Sequence, residues 1–225
     1  MRSLSALGGS LSFVVYNRAK SFDFCYNLNM IAKKKQTSRW NKIYKKGAHW
    51  EKGLSKQILE FIKYLKKGYK VLDAGCGSGR NSVFLSERGF EVWGIDTSEV
   101  GIKKAKKKRQ LKNLHLLVGN IEELPFNNEF FNAIYCGGVL NFIPLENAAL
   151  EIFRVLKKNG VAFIWLLLDT KIISTGEKKE FHKKVDILST YSKKFQIFQQ
   201  KEFFSNDLRA ERPHSHRIFE LILKK

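Results

Sequence analysis

From Leu54 onward, apolar residues fall at Ile58, Phe61, Ile62 and Leu65, the spacing of one helical face, and Gly68 is placed to stop that helix. Short apolar runs then alternate with helix-period segments. Tyr69–Ala74 predicts a buried strand, Asn81–Arg88 a helix, Phe90–Ile95 a strand, Glu99–Leu111 a helix and Leu114–Val118 a strand. Phe131–Cys136 predicts another strand, Leu145–Lys158 a helix ended by Asn159-Gly160, and Val161–Leu168 a further strand. Strands alternating with helices of this length imply right-handed βαβ units around a parallel sheet. The tail breaks the alternation. Glu177–Thr190 reads as a helix, but Phe195–Phe204 and Arg217–Leu223 read as two successive strands. The expected class is therefore α/β: a doubly wound, mostly parallel sheet with helices on both faces and a C-terminal antiparallel strand pair.

Ahead of that pattern, residues 1–29 are Ser- and Arg-rich with a single acid, Asp23, and an apolar patch at Phe13-Val14-Val15-Tyr16. A transit peptide has this balance; a secretory signal fits less well, because Gly8-Gly9-Ser10 interrupts the apolar stretch. The reading adopted is a poorly ordered extension upstream of a start at Met30, leaving 30–225 as a single domain, consistent with a length of 225 residues. The longest apolar run, Val161 to Leu168, is far short of the roughly 20 residues that a membrane span needs. Three cysteines, Cys25, Cys76 and Cys136, give no disulfide framework and no CxxC spacing, so free thiols in a cytoplasmic protein are expected. Charge changes the picture more: 41 basic against 21 acidic residues leave +20, which attracts polyanions such as RNA. Lys greatly outnumbers Arg, however, and Arg is the residue of bidentate phosphate recognition. The run Lys103-Lys104-Ala105-Lys106-Lys107-Lys108-Arg109 is first of all a solvated helix face, with nucleic-acid contact the alternative. No feature specifies an oligomeric state.

The candidate chemistry lies in Val71-Leu72-Asp73-Ala74-Gly75-Cys76-Gly77-Ser78-Gly79-Arg80-Asn81, an apolar strand running into a glycine-rich turn with a helix behind it. Glycines are needed where a backbone turns with unusual φ and lies against a ligand with no Cβ between. The helix start offers free N–H groups and a positive dipole end. A dinucleotide fingerprint would need glycine at position 80, where Arg80 stands. The spacing is DxGxGxG instead, and a second acid, Asp96, ends the next strand, where a carboxylate can accept both hydroxyls of a ribose.

These residues resemble the class I S-adenosylmethionine-dependent methyltransferases, over roughly Trp40 to Leu168. The resemblance implies a Rossmann-like fold and S-adenosyl-L-methionine as cofactor. Asp73, Gly75, Gly77 and Gly79 look like the family's first motif, which lies along the methionine part. Asp96 matches the ribose-holding acid, Asn120 and Ile121 the position flanking adenine, and Gly137 the strand end that passes the sulfonium. Asn120 and Asn132 stand where Asp is common. A narrower likeness, in Gly79-Arg80-Asn81, Phe84-Leu85, Arg88-Gly89 and Val92, is to the compact tellurite-resistance and thiopurine-type enzymes. In that pattern Trp40 and Tyr44 form a lid; an amphipathic helix burying its aromatics is the equal alternative.

Methyl transfer from a sulfonium is an in-line displacement, so positioning supplies much of the catalysis. An amine or hydroxyl acceptor also needs a base. The candidates are Asp169, expected at the ligand-facing end of a strand, and His214 and His216 in Pro213-His214-Ser215-His216-Arg217, with His49 near the lid. The HxH pair lacks a third ligand of suitable spacing, so no metal is expected. Cys136-Gly137-Gly138-Val139 replaces the Asn/Asp-Pro-Pro-aromatic motif of enzymes that methylate planar amino groups. The acceptor expected is a small molecule. An RNA or protein acceptor using the basic surface is the alternative, and a non-catalytic scaffold the third reading.

Overall fold

The computed structural model describes residues 34–48, 51, 53–108, 110–208 and 213–225; the expectations for residues 1–29, His49 and Arg109 lie outside the described residues. Residues 34–46 form a first helix, α1. Ser55 opens α2 (Lys56–Phe61), its hydroxyl accepting from the Ile58 N–H at 3.2 Å, and a 3-10 turn follows at Ile62–Tyr64. The remaining helices are α3 (Arg80–Ser86), α4 (Glu99–Lys108), α5 (Leu145–Val155) and α6 (Lys184–Ser192). Five strands, β1 (Lys70–Ala74), β2 (Glu91–Asp96), β3 (Leu114–Val118), β4 (Phe131–Gly137) and β5 (Leu156–Ile172), pair in parallel. The antiparallel additions are β6 (Lys178–Glu180), β7 (Gln196–Asp207) and β8 (His214–Lys224).

The order along the sheet is β3-β2-β1-β4-β5-β8-β7, with β6 on the far end of β5. The order reverses between β1 and β4, so loops leaving those strands diverge and open a crevice at their carboxyl ends. Both faces are covered, and alternation along each strand assigns its side chains. Val71, Ala133 and Phe163 pack with Ile58 and Phe61 of α2 and Phe84 of α3 on one face. Leu72, Ile134 and Ile164 pack with Ile152 of α5 and Ile187 of α6 on the other. Burying an apolar side chain of this size contributes about 1.5–3 kcal/mol, so the two faces together hold the sheet rigid under the crevice. Among the described residues no helix is long and apolar enough to cross a membrane.

Two expected helices are corrected. The helix predicted over Leu145–Lys158 ends at Val155 and the chain enters β5 directly, because Leu156 pairs with Phe131 and is fully buried there. Asn159, at φ 61°, then makes the turn back into register. The helix predicted over Glu177–Thr190 splits into β6 and α6. Residues 178–180 are all exposed and have no apolar face to bury, while β5 beyond the end of β4 presents an unpaired edge that β6 takes up. Tertiary pairing outweighs helix propensities worth only tenths of a kcal/mol per residue.

Candidate functional site

The glycine-rich turn after β1 takes its shape from positive φ angles, 78° at Gly75 and 56° at Gly77. Close neighbours forbid a side chain at either: a Cβ would lie 2.0 Å from Val139 Cγ2 at Gly75 and 2.1 Å from the Tyr44 hydroxyl at Gly77. Gly79 caps α3 in the left-handed conformation and packs against Ala105. The turn is tied to the end of β2. Gly75 and Cys76 N–H groups donate to the Ile95 carbonyl at 2.7 and 3.0 Å. Asp96 accepts from the Gly77 N–H at 2.9 Å with one oxygen and from the Ser98 N–H at 2.8 Å with the other. Burial pushes the Asp96 pKa up, and the two backbone donors counter it.

A cavity of about 400 Å³ opens above this turn. One end is bounded by Gly75, Cys76, Ser78, Asp96, Asn120 and Ile121. The Asn120 amide is engaged within its own turn, Oδ1 accepting from the Glu122 N–H at 3.1 Å. Asn81 also lines the cavity, and its buried Oδ1 has no hydrogen-bond partner among the described residues. Asp73, expected to touch the ligand, does not line the cavity. It is buried beneath it, accepts from Ser82 Oγ at 2.5 Å and so braces β1 against α3. Burial pushes its pKa up to about 6 against the opposing pull of the Ser82 hydroxyl. Gly77 and Gly79 likewise shape the turn from outside the lining.

The other end is assembled from distant elements. Gly137 pairs with Trp165, and a Cβ there would meet the indole Nε1 at 2.2 Å, so the glycine makes room for the ring. The Trp165 Nε1–H donates to the Tyr135 hydroxyl at 2.9 Å, which also bonds Ser55 Oγ at 3.0 Å. Across the top lies α1, with Gln36, Trp40 and Tyr44 facing the cavity. It is anchored by Asn41 Oδ1, which accepts from Ser98 Oγ at 2.7 Å and from the Val100 N–H at 3.2 Å. Gln36 Nε2 donates to the Phe142 carbonyl at 3.1 Å, and the Trp40 and Phe142 rings meet edge-on at 5.2 Å. Trp40 and Tyr44 are thus packed aromatics and cavity roof at once. Burial raises the Cys76 and Cys136 thiols, so neither is held as a reactive thiolate.

Of the expected bases, Asp169 is placed elsewhere. The β5–β8 ladder carries one extra residue between Leu167 and Asp169. Because side chains alternate faces, that bulge exchanges the sides: Leu167 faces the cavity, and beyond it Thr170, opposite His216, takes the cavity side. Asp169 points the other way, with its Oδ2 2.9 Å from Arg217 Nε and 3.4 Å from Lys178 Nζ; the Arg217 contact is an ion pair without hydrogen-bond alignment. An acid committed to two cations off the cavity cannot act as its base. His214 and His216 do line the cavity, their rings 4.5 Å apart. The fold also supplies what the spacing of the pair lacked. Asp207, directly opposite His214 across the β7–β8 ladder, joins them, and one ligand-capable atom from each of the three lies within 4.8 Å of the others.

Residues 72–164 match the family model described as a methyltransferase domain. The uncharacterized methyltransferase YodH of Bacillus subtilis is 34% identical over 112 residues, 49% of this chain and 48% of that protein. A malonyl-[acyl-carrier protein] O-methyltransferase of Hamiltonella defensa is 31% identical over 144 residues, 64% of this chain and 54% of that protein. The chain spans about half the length of the curated relatives it matches. Among solved structures, a SAM-dependent methyltransferase from Methanosarcina mazei superposes with a TM-score of 0.59 at 19% identity, covering 74% of this chain and 96% of that one, a likeness of fold.

Proposed function

We propose that the protein is a class I S-adenosyl-L-methionine-dependent methyltransferase acting on a small-molecule acceptor. The observation that carries this reading is a single cavity running from the turn at Gly75 and Asp96 to the wall at Trp165 and His216. The residues suit the cofactor. Gly75 lines the cavity with backbone alone, the buried Asn81 Oδ1 awaits a donor such as the methionyl ammonium, and the Asp96 carboxylate faces the cavity for a ribose. Ile121 offers an apolar surface for adenine, beside Asn120. When bound, S-adenosyl-L-methionine supplies an electrophilic methyl group on a sulfonium. The chain's own part is to hold the acceptor against that position under α1, with Trp40, Phe142 and Trp165 excluding water. Of the expected bases, His214 and His216 face the acceptor end and Asp169 does not.

The small acceptor is supported by size: about 400 Å³ lies near the lower end of the range of ligand pockets, roughly 300–1,000 Å³, and in this reading is shared with a cofactor. The narrower likeness to compact tellurite-resistance and thiopurine-type enzymes is supported by the aromatic roof of α1 and by Asn81 facing the cavity. A polyanionic acceptor is the second reading, favoured by Lys34, Lys42 and Lys45, which line a groove beside Thr97 and Asn120 at the cavity's edge.

Calorimetric titration of the full chain with S-adenosylhomocysteine tests the proposal. Micromolar, one-to-one binding is expected, lost in Asp96→Ala. A folded protein that does not bind overturns it. In parallel, RNA binding that weakens steeply with salt would favour the polyanionic acceptor.

A further inference from the structure

We propose that Asp207, His214 and His216 form a binding site for a divalent transition-metal ion at the acceptor end of the cavity, and that the ion takes the donor atom of an acceptor bearing an ionisable O–H or S–H. His214 and His216 stand two residues apart on β8, so both side chains project from the same face, which is the cavity face. The neighbouring strands supply the rest of the arrangement. On β7, Asp207 is paired with His214, and its carboxylate and the two imidazoles bring ligand-capable atoms to within 4.8 Å of one another. On β5, Thr170 is paired with His216, and its Oγ1 lies 2.9 Å from His216 Nδ1. A metal-binding histidine is commonly oriented by such a bond to its other ring nitrogen. If Nδ1 donates to Thr170, the lone pair is left on Nε2.

The donor set selects the ion. Two imidazoles and one carboxylate suit zinc, iron, cobalt or nickel, whereas magnesium and calcium prefer oxygen alone. Three protein ligands leave at least one coordination position open, and here all three residues line the cavity, where an acceptor would approach. A hydroxyl or thiol taken at that position has its pKa lowered by the ion, which is the activation such acceptors need near neutral pH. This explains why a wall otherwise built of Trp165, Leu167 and Ile218 carries two histidines and an acid.

Cobalt(II) is the probe, added to the full chain after treatment with chelator and followed by its visible d–d absorption. One equivalent is expected to bind with micromolar or tighter affinity and to be displaced by zinc. His214→Ala and His216→Ala should each weaken binding at least about a hundredfold, and Thr170→Val, which leaves the ligands in place, about tenfold. Circular dichroism checks that each variant is folded; Asp207→Asn, which keeps the side-chain shape, serves if a histidine variant is not. Failure of the parent protein to bind cobalt, or binding unchanged in all four variants, overturns the site. The assignment of the cofactor end is read separately, by S-adenosylhomocysteine titration of the metal-free protein, so either result can fail alone.

Discussion

At one end of the cavity, the contacts described run between residues 75 and 121, mostly through backbone N–H groups, glycines without side chains and the Asp96 carboxylate. At the other, Gln36, Phe142, Trp165, Asp207, His214 and His216 arrive from five separate parts of the chain and meet through side chains. The first end lies wholly within the matched methyltransferase-domain region, residues 72–164; of the second, only the Tyr135–Phe142 part does. Backbone recognition requires one local conformation and tolerates little change. A wall of side chains can be exchanged residue by residue on a constant sheet, so the second end can vary in shape and chemistry where the first cannot.

The most severe way to test that contrast is Gly75→Ala. The new Cβ would fall 2.0 Å from Val139 Cγ2 on a residue at φ 78°, combining overpacking with left-handed strain. Together these cost about 2–5 kcal/mol. S-adenosylhomocysteine affinity is expected to fall by at least about a hundredfold in calorimetry; an unchanged affinity would mean that the turn does not touch the ligand.

Next in size is Asp73, which is buried beneath the glycine-rich turn. Its folded pKa of about 6 stands above its ordinary 3.8, so the folded state binds the proton more tightly. The stability this contributes is complete below about pH 4 and is lost as pH rises through 6, a change of about 3 kcal/mol. Asp73→Asn should therefore gain stability over the parent at pH 7–8 and match it near pH 4. Thermal melts across that range check this, and a pH-independent difference between the two proteins counts against it.

Asn41→Ala tests whether the two ends communicate. It removes the acceptor of Ser98 Oγ and the Val100 N–H, and with it the anchor of α1 beside Asp96. A loss of about 1–2 kcal/mol, roughly tenfold in S-adenosylhomocysteine affinity, is expected by calorimetry. No change would separate the roof from the cofactor end. The mildest variant is Trp165→Phe, which removes the donor to Tyr135 and leaves a smaller aromatic ring in the wall. Methyl transfer to whichever acceptor a screen identifies should fall about fivefold, in line with one hydrogen bond of about 1 kcal/mol, with S-adenosylhomocysteine affinity unchanged. An equal fall in both would place Trp165 at the cofactor end.

The parallel character of β1–β5, the antiparallel tail, the turn at Gly75–Gly79 and the acid at Asp96 were all legible along the chain. Each rests on short-range physics: apolar periodicity, the φ freedom of glycine, and a carboxylate at a strand end. Where the sequence misled, the deciding interaction lay far away. Lys157 and Lys158 read as helix until Leu156 finds Phe131 across the sheet, and residues 178–180 read as helix until the open edge of β5 is on hand. Asp169 was expected to face the ligand, and a single extra residue after Leu167 turned it to the opposite side, because strand alternation amplifies a one-residue shift into a change of face. Asp207 carried no signal of its own, since its nearness to His214 and His216 depends on the register of two antiparallel strands. Local composition determined the end built on the Gly75 turn and Asp96; only the pairing of β5, β7 and β8 decided which side chains meet at the end lined by Trp165, His214 and His216.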